Sequence, residues 1–77
     1  MEIEIKLFAT LRPYLKGLSR EGHLDVPDET TVADIVEILQ LPAEQVRLVF
    51  VNGRHASREH ILNPGDRVGI FPPVGGG

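Results

Sequence analysis

The chain has 77 residues, with 11 acidic and 8 basic side chains, a formal net charge of -3 and no cysteine. That length suits one domain with a modest core and leaves no room for a deep cavity framed by several catalytic loops. The missing cysteine excludes disulfides, a thiolate nucleophile and a Cys-based metal site.

A hydrophobic content of 42% argues for a folded chain rather than a disordered one. In chain order, Glu2 to Leu7 alternates, with Ile3, Ile5 and Leu7 on one face and Glu2, Glu4 and Lys6 on the other. This predicts a strand with one wet face. Phe8 falls on the wet side by parity. Leu11, Tyr14, Leu15 and Leu18 follow at helical spacing, with Pro13 in a first turn and Gly17 as a stop, so a short helix of two turns is expected. "SREG" reads as a loop and "HLDV" as a short strand pairing back on the first. The strongest helix signal is "TVADIVEIL". Thr31 is an N-cap, Asp34 completes a box-like pair, and Val32, Ile35, Val36 and Leu39 form the apolar stripe. Pro42 is expected to end this helix.

"VRLVFV" is apolar on both faces and predicts a buried inner strand. Asn52-Gly53 signals a hairpin turn, and "RHA" a return strand. "SREHIL" reads as a brief turn and "NPGD" as another. The last strand, "DRVGIF", places Val68 and Ile70 inward and Arg67, Gly69 and Phe71 outward. The first and last strands can lie side by side at the sheet centre, with hairpins on both flanks and the main helix on one face. The expected fold class is α+β: a β-grasp, ubiquitin-like domain over residues 1–74, with a mixed sheet of about five strands and a flexible Gly-Gly-Gly tail over 75–77.

Other function classes lose ground on the same residues. Lys6, Arg12, Lys16, Arg20, Arg47, Arg54, Arg58 and Arg67 are scattered, without the basic stripe that a nucleic acid requires. His23, His55 and His60 lack paired metal-ligand spacing, so no metal site is expected. The acidic, alternating start is not that of a signal peptide, and no apolar run is long enough to cross a bilayer. No membrane association and a cytoplasmic location are expected.

The sequence closes on "FPPVGGG". Pro72 and Pro73 stop sheet pairing and stiffen the exit. Gly75, Gly76 and Gly77 carry no Cβ, so their backbone can thread a channel that any side chain would block. The thread delivers the Gly77 α-carboxylate, which becomes electrophilic once joined to AMP. No Gly-rich loop precedes a helix, so a partner must handle the ATP, and no cofactor is expected on this chain itself. If sulfur is carried, it sits on the terminal carbonyl as a thiocarboxylate. Phe8 and Phe71 share the open face by parity and form an expected docking patch, with Arg12 on its rim.

"KLFATLRPYL", "TVADIVEIL", "VFVNG", "PGDRV" and "IFPPVGGG" together resemble the MoaD/ThiS sulfur-carrier family across the whole chain, most of all the small subunit of molybdopterin synthase. The resemblance implies a β-grasp carrier rather than an enzyme. Gly77 would be adenylated by a ubiquitin-activating-like adenylyltransferase and thiocarboxylated from a persulfide sulfur donor. It would then be inserted into the synthase large subunit, where sulfur builds the dithiolene of the molybdenum or tungsten cofactor. Gly75 and Gly76 become the tail; Phe8, Arg12, His55, Phe71, Pro72, Pro73 and Val74 become the docking and guiding residues. Gly75 stands where the synthase subunit often has Ser or Thr, and His55 where the family patch is often apolar. Three alternatives stay open: thiamine synthesis or another sulfur pathway, a ubiquitin-like modifier joined to lysines through Gly77, and a plain interaction domain with an accidental tail.

Overall fold

The computed structural model describes residues 1–17 and 22–73. Its elements are β1 (Glu2–Leu7), a 3-10 helix (Ala9–Gly17), β2 (His23–Asp25), α1 (Val32–Ile38), a 3-10 turn (Ala43–Gln45), β3 (Leu48–Val51), β4 (Arg54–His55) and β5 (Arg67–Phe71). The five strands form one sheet in the order β2-β1-β5-β3-β4. β5 pairs parallel with β1 and antiparallel with β3, and the antiparallel β1–β2 and β3–β4 pairs close the two flanks. This is β-grasp topology, as the strand order and patterning predict.

The alternation of β1 survives intact: Ile3, Ile5 and Leu7 are buried while Glu2, Glu4 and Lys6 are exposed. With Val49, Val51, Val68 and Ile70 they make the sheet side of the core, and Val32, Ile35, Val36 and Leu39 cover it from the α1 side. Burying each such side chain is worth about 1.5–3 kcal/mol against leaving it in water. Residue parity, not local propensity, therefore sets which sheet face the helix takes.

The ends of α1 show why so short a helix holds. The Thr31 hydroxyl accepts from the Asp34 N–H at 3.2 Å, and the Asp34 carboxylate accepts from the Thr31 N–H at 3.0 Å. The next two free N–H groups, of Val32 and Ala33, donate to the carbonyls of His60 and Arg58. The "SREHIL" turn thus seals the helix N-terminus, and Arg58 ties it to the Val46 carbonyl at 3.0 Å.

Three expectations change in the structure. Pro42 does not end α1. The helix stops earlier, where Gln40 takes φ 56° and the Gln40 and Leu41 N–H groups return to Glu37 and Val36. That pair of bonds is a Schellman closure, with glutamine in the left-handed position usually held by glycine.

The first helix is a 3-10 helix starting at Ala9, with Pro13 inside it rather than in its first turn. Proline has no N–H for an α-type bond, and its ring crowds the carbonyl four residues back, so the tighter winding remains. Leu11 from this helix is buried, as its spacing predicts. Leu18 and residues 19–21 of the expected "SREG" loop lie outside the described residues, and Gly22, its last residue, is a turn with φ 81°.

β3 lies inside the sheet as expected, but it is not buried on both faces. Val49 and Val51 are buried, Phe50 is half-buried, and Leu48 is exposed on the face opposite α1. The single layer of helix covers only one side, so half of this apolar strand faces the open side. Among the described residues, no helix is long and apolar enough to cross a membrane.

Candidate functional site

The open face carries all three phenylalanines of the chain. Phe8 and Phe71 stack in parallel, with ring centroids 4.0 Å apart and planes 6° from coplanar. Phe50 meets Phe71 edge-on at 5.6 Å, and the His55 imidazole meets Phe50 edge-on at 5.8 Å. The Lys6 ammonium lies 5.8 Å from the Phe8 ring centroid, within cation–π range. The cluster therefore runs across β1, β5, β3 and β4.

Register explains the cluster. Leu48 lies opposite Phe71, and Gly69 opposite both Phe50 and Lys6. The Asn52-Gly53 turn, with φ of 54° and 82°, is the two-residue hairpin in which both central residues are left-handed. That tight loop sets Phe50 across from His55. Phe8 follows β1, yet its N–H still donates to the Ile70 carbonyl at 3.2 Å, which keeps it level with Phe71. At the next position the chain breaks away: Ala9 takes φ 52°, and the Leu11 N–H turns back to the Phe8 carbonyl at 3.0 Å.

Gly69 is the seat of the stack. It lies mid-strand in the central strand, where glycine weakens a sheet. A Cβ built there would lie 3.6 Å from Phe8 Cε2 and 3.8 Å from Phe71 Cε1. Both rings therefore lean over the glycine backbone and supply the cover its own side chain lacks, an aromatic rescue of a strand glycine.

A polar brace holds the other end of β5. Asp66 is buried; it accepts from the Asn52 amide at 2.9 Å and from the Asn63 N–H at 2.8 Å. The Asn52 side-chain oxygen accepts from the Arg67 N–H at 3.0 Å. The "VNG" and "PGD" turns, distant in sequence, are thus one hydrogen-bonded unit that pins the register placing Phe50 beside Phe71.

Of the residues singled out from sequence, Phe8, Arg12 and Phe71 line one open groove. Arg12 is exposed at its edge, on the 3-10 helix. His55 joins the cluster through Phe50 on the edge strand β4. Pro72 is half-buried and Pro73 exposed just past β5, where the Phe71 carbonyl still accepts from the Arg47 N–H at 2.9 Å. Val74, Gly75, Gly76 and Gly77 lie outside the described residues.

Sequence reasoning passed over Phe50, Leu48, Gly69 and Lys6. The signal was present in the two-residue hairpin, which makes Phe50 and His55 neighbours once the loop length is counted back from Asn52. Among the described residues, no group of His, Asp and Glu could hold a metal ion.

Comparison with known proteins agrees with this geometry. The model of the ThiS family matches residues 5–77. Small archaeal modifier protein 3 of Haloferax volcanii is 32% identical over 94 aligned positions, covering 100% of both chains. The crystal structure of small archaeal modifier protein 1 from Haloferax volcanii superposes with a TM-score of 0.74 at 29% identity, over 95% of this chain and 98% of that one. A Pyrococcus furiosus protein named molybdopterin converting factor, subunit 1, superposes with a TM-score of 0.72 at 31% identity, again over 95% and 98%. The chain belongs to the ThiS family, ubiquitin-like β-grasp proteins that serve as small sulfur carriers and modifiers.

Proposed function

We propose that this chain is a sulfur carrier acting through the Gly77 carboxylate, with molybdopterin synthesis as its pathway. The observation that carries the reading is the position of the aromatic cluster. It lies on the uncovered face of the sheet at the point where β5 runs into the Pro-Pro-Val-Gly-Gly-Gly segment. A partner seated on Phe8, Phe50 and Phe71 would receive the following residues in its own active site. Half-buried aromatic clusters on an uncovered face can supply most of the binding energy of a docking surface.

The chemistry needs little from the carrier. The Gly77 carboxylate attacks the α-phosphate of ATP held by a ubiquitin-activating-like partner, and pyrophosphate leaves. A persulfide sulfur then attacks the acyl carbon and displaces AMP. A thiol cleaves the acyl disulfide, leaving the thiocarboxylate on Gly77 and a disulfide on the donor. Delivered to a synthase large subunit, the anionic sulfur displaces an oxygen leaving group from a pterin precursor to form a thioester; water then cleaves the acyl–sulfur bond, leaving sulfur on the pterin and Gly77 as a carboxylate. In such a complex this chain is the small subunit, and ATP is bound only by the activating partner.

The same acyl-adenylate can be captured by a lysine amine, and the similarity to two small archaeal modifier proteins favours keeping that second reading. Intact-mass spectrometry separates the two. With ATP, an activating enzyme and a persulfide donor, the carrier reading expects the mass increment of one oxygen-to-sulfur exchange. Lysine-linked adducts on other proteins, lost when Gly77 is deleted and formed without any thiocarboxylate, would replace it with the modifier reading.

A further inference from the structure

The charged side chains lining the groove on the open face have the opposite balance to the whole chain. The whole sequence carries 11 acidic and 8 basic residues. The charged side chains that line the open groove include Lys6, Arg12 and Arg67, against Glu4. Lys6 lies over the Phe8 ring and Arg12 at the groove edge, while Glu4 sits opposite Arg67 across β1 and β5. Glu4 lies four residues back along β1, roughly 13 Å away at the strand rise of about 3.3 Å per residue. Among the described residues, Lys6, Arg12 and Arg67 make no ion pair, whereas the Met1 ammonium lies 3.4 Å from the Asp25 carboxylate. Glu2 and Asp25 share the open face beyond the groove, at its β2 edge; the other exposed acids include Asp28 and Glu29 before α1, Glu37 on it, and Glu44 and Glu59.

We propose that this face docks on a protein partner whose apolar socket is bordered by carboxylates, with Lys6 and Arg12 as the paired cations. The inference rests on the carrier reading and names the surface chemistry of the activating partner. The aromatic cluster would supply the contact area, and Lys6 and Arg12 the orientation. Exposed charge pairs add little affinity individually, but they steer encounter and make it salt-dependent. That combination suits a carrier that must leave one enzyme for the next. A nucleic acid is the other polyanion with a taste for aromatic faces. It fits less well, because Phe8 is already stacked on Phe71 and few phosphates could be neutralised.

The test uses the full-length chain and the activating enzyme from the same organism, in ATP–pyrophosphate exchange across a salt series. For the wild type, the KM for the carrier should rise with salt. The Lys6→Glu/Arg12→Glu variant should show a KM about tenfold higher at low salt and a flattened salt response, with exchange restored at saturating carrier. The Lys6→Gln/Arg12→Gln variant should fall between, and Glu37→Lys, on the helix face, should match the wild type. Far-UV circular dichroism confirms that each variant is folded. A wild-type KM that ignores salt, or a charge-reversed variant with the wild-type KM, overturns the acidic partner while leaving the carrier reading in place. Wild-type chain that supports no exchange overturns both. Tighter binding to a single-stranded oligonucleotide than to the enzyme overturns it in favour of nucleic acid.

Discussion

Substituting Gly69 separates the stability of the sheet from the shape of its open face. A Cβ at this position would meet Phe8 and Phe71 at 3.6 and 3.8 Å, which is ordinary contact. Gly69→Ala should therefore fold unchanged and gain about 0.5–1 kcal/mol, because alanine loses less backbone freedom than glycine on entering a strand. Gly69→Val extends a further ~1.5 Å, one carbon–carbon bond, into a gap that is already closed. The rings lie on an open face, so they swing toward solvent instead of straining the core. Losing the parallel stack costs about 0.5–1.5 kcal/mol, and the higher strand propensity of valine returns up to about 1 kcal/mol. The valine variant should thus unfold in urea within about 1 kcal/mol of wild type, while its KM in the exchange reaction rises about tenfold, equivalent to about 1.4 kcal/mol of lost docking. Urea titration by far-UV circular dichroism gives the first quantity, exchange kinetics the second, and aromatic proton shifts report the stack. A valine variant with the wild-type KM and wild-type ring shifts would refute the idea that Gly69 seats the docking rings.

Deleting Gly76 and Gly77 should abolish thiocarboxylate formation in the mass assay and leave the urea midpoint unchanged, since no core side chain is removed. Asp66→Ala strips the acceptors from the Asn63 N–H and the Asn52 amide and should cost about 1–3 kcal/mol by urea titration. A loss confined to a few tenths would mean that the two turns are not coupled through Asp66. Thr31→Ala removes the hydroxyl half of the capping box and should cost about 1 kcal/mol. For a domain of this size that lowers the thermal midpoint by about 4–8 °C, readable by circular dichroism.

Much of this molecule could be read from local pattern. Side-chain parity alone assigns Ile3, Ile5 and Leu7 to the core and Phe71 to the open face, because a strand repeats every two residues whatever it pairs with. Thr31, Asp34 and the apolar stripe of α1 are equally local, since a cap and a helical repeat need no distant partner. The Asn52-Gly53 hairpin belongs here too, as its two left-handed residues are what those side chains tolerate.

Other features depended on which strands became neighbours. "VRLVFV" reads as buried on both sides, and only a single helix layer over one face of the sheet leaves Leu48 and Phe50 uncovered. Gly69 looks like a weak point in a strand until parallel pairing with β1 brings Phe8 over it from a segment some sixty residues away. The cationic excess in the groove lining is likewise invisible in a chain of net charge -3, because composition sums charges that the fold distributes. The sequence by itself determined most of the elements and the buried faces of β1, α1 and β5. Tertiary structure alone decided that Phe50, His55 and Gly69 join Phe8 and Phe71 in one cluster, because register is a relation between strands and no single strand carries it.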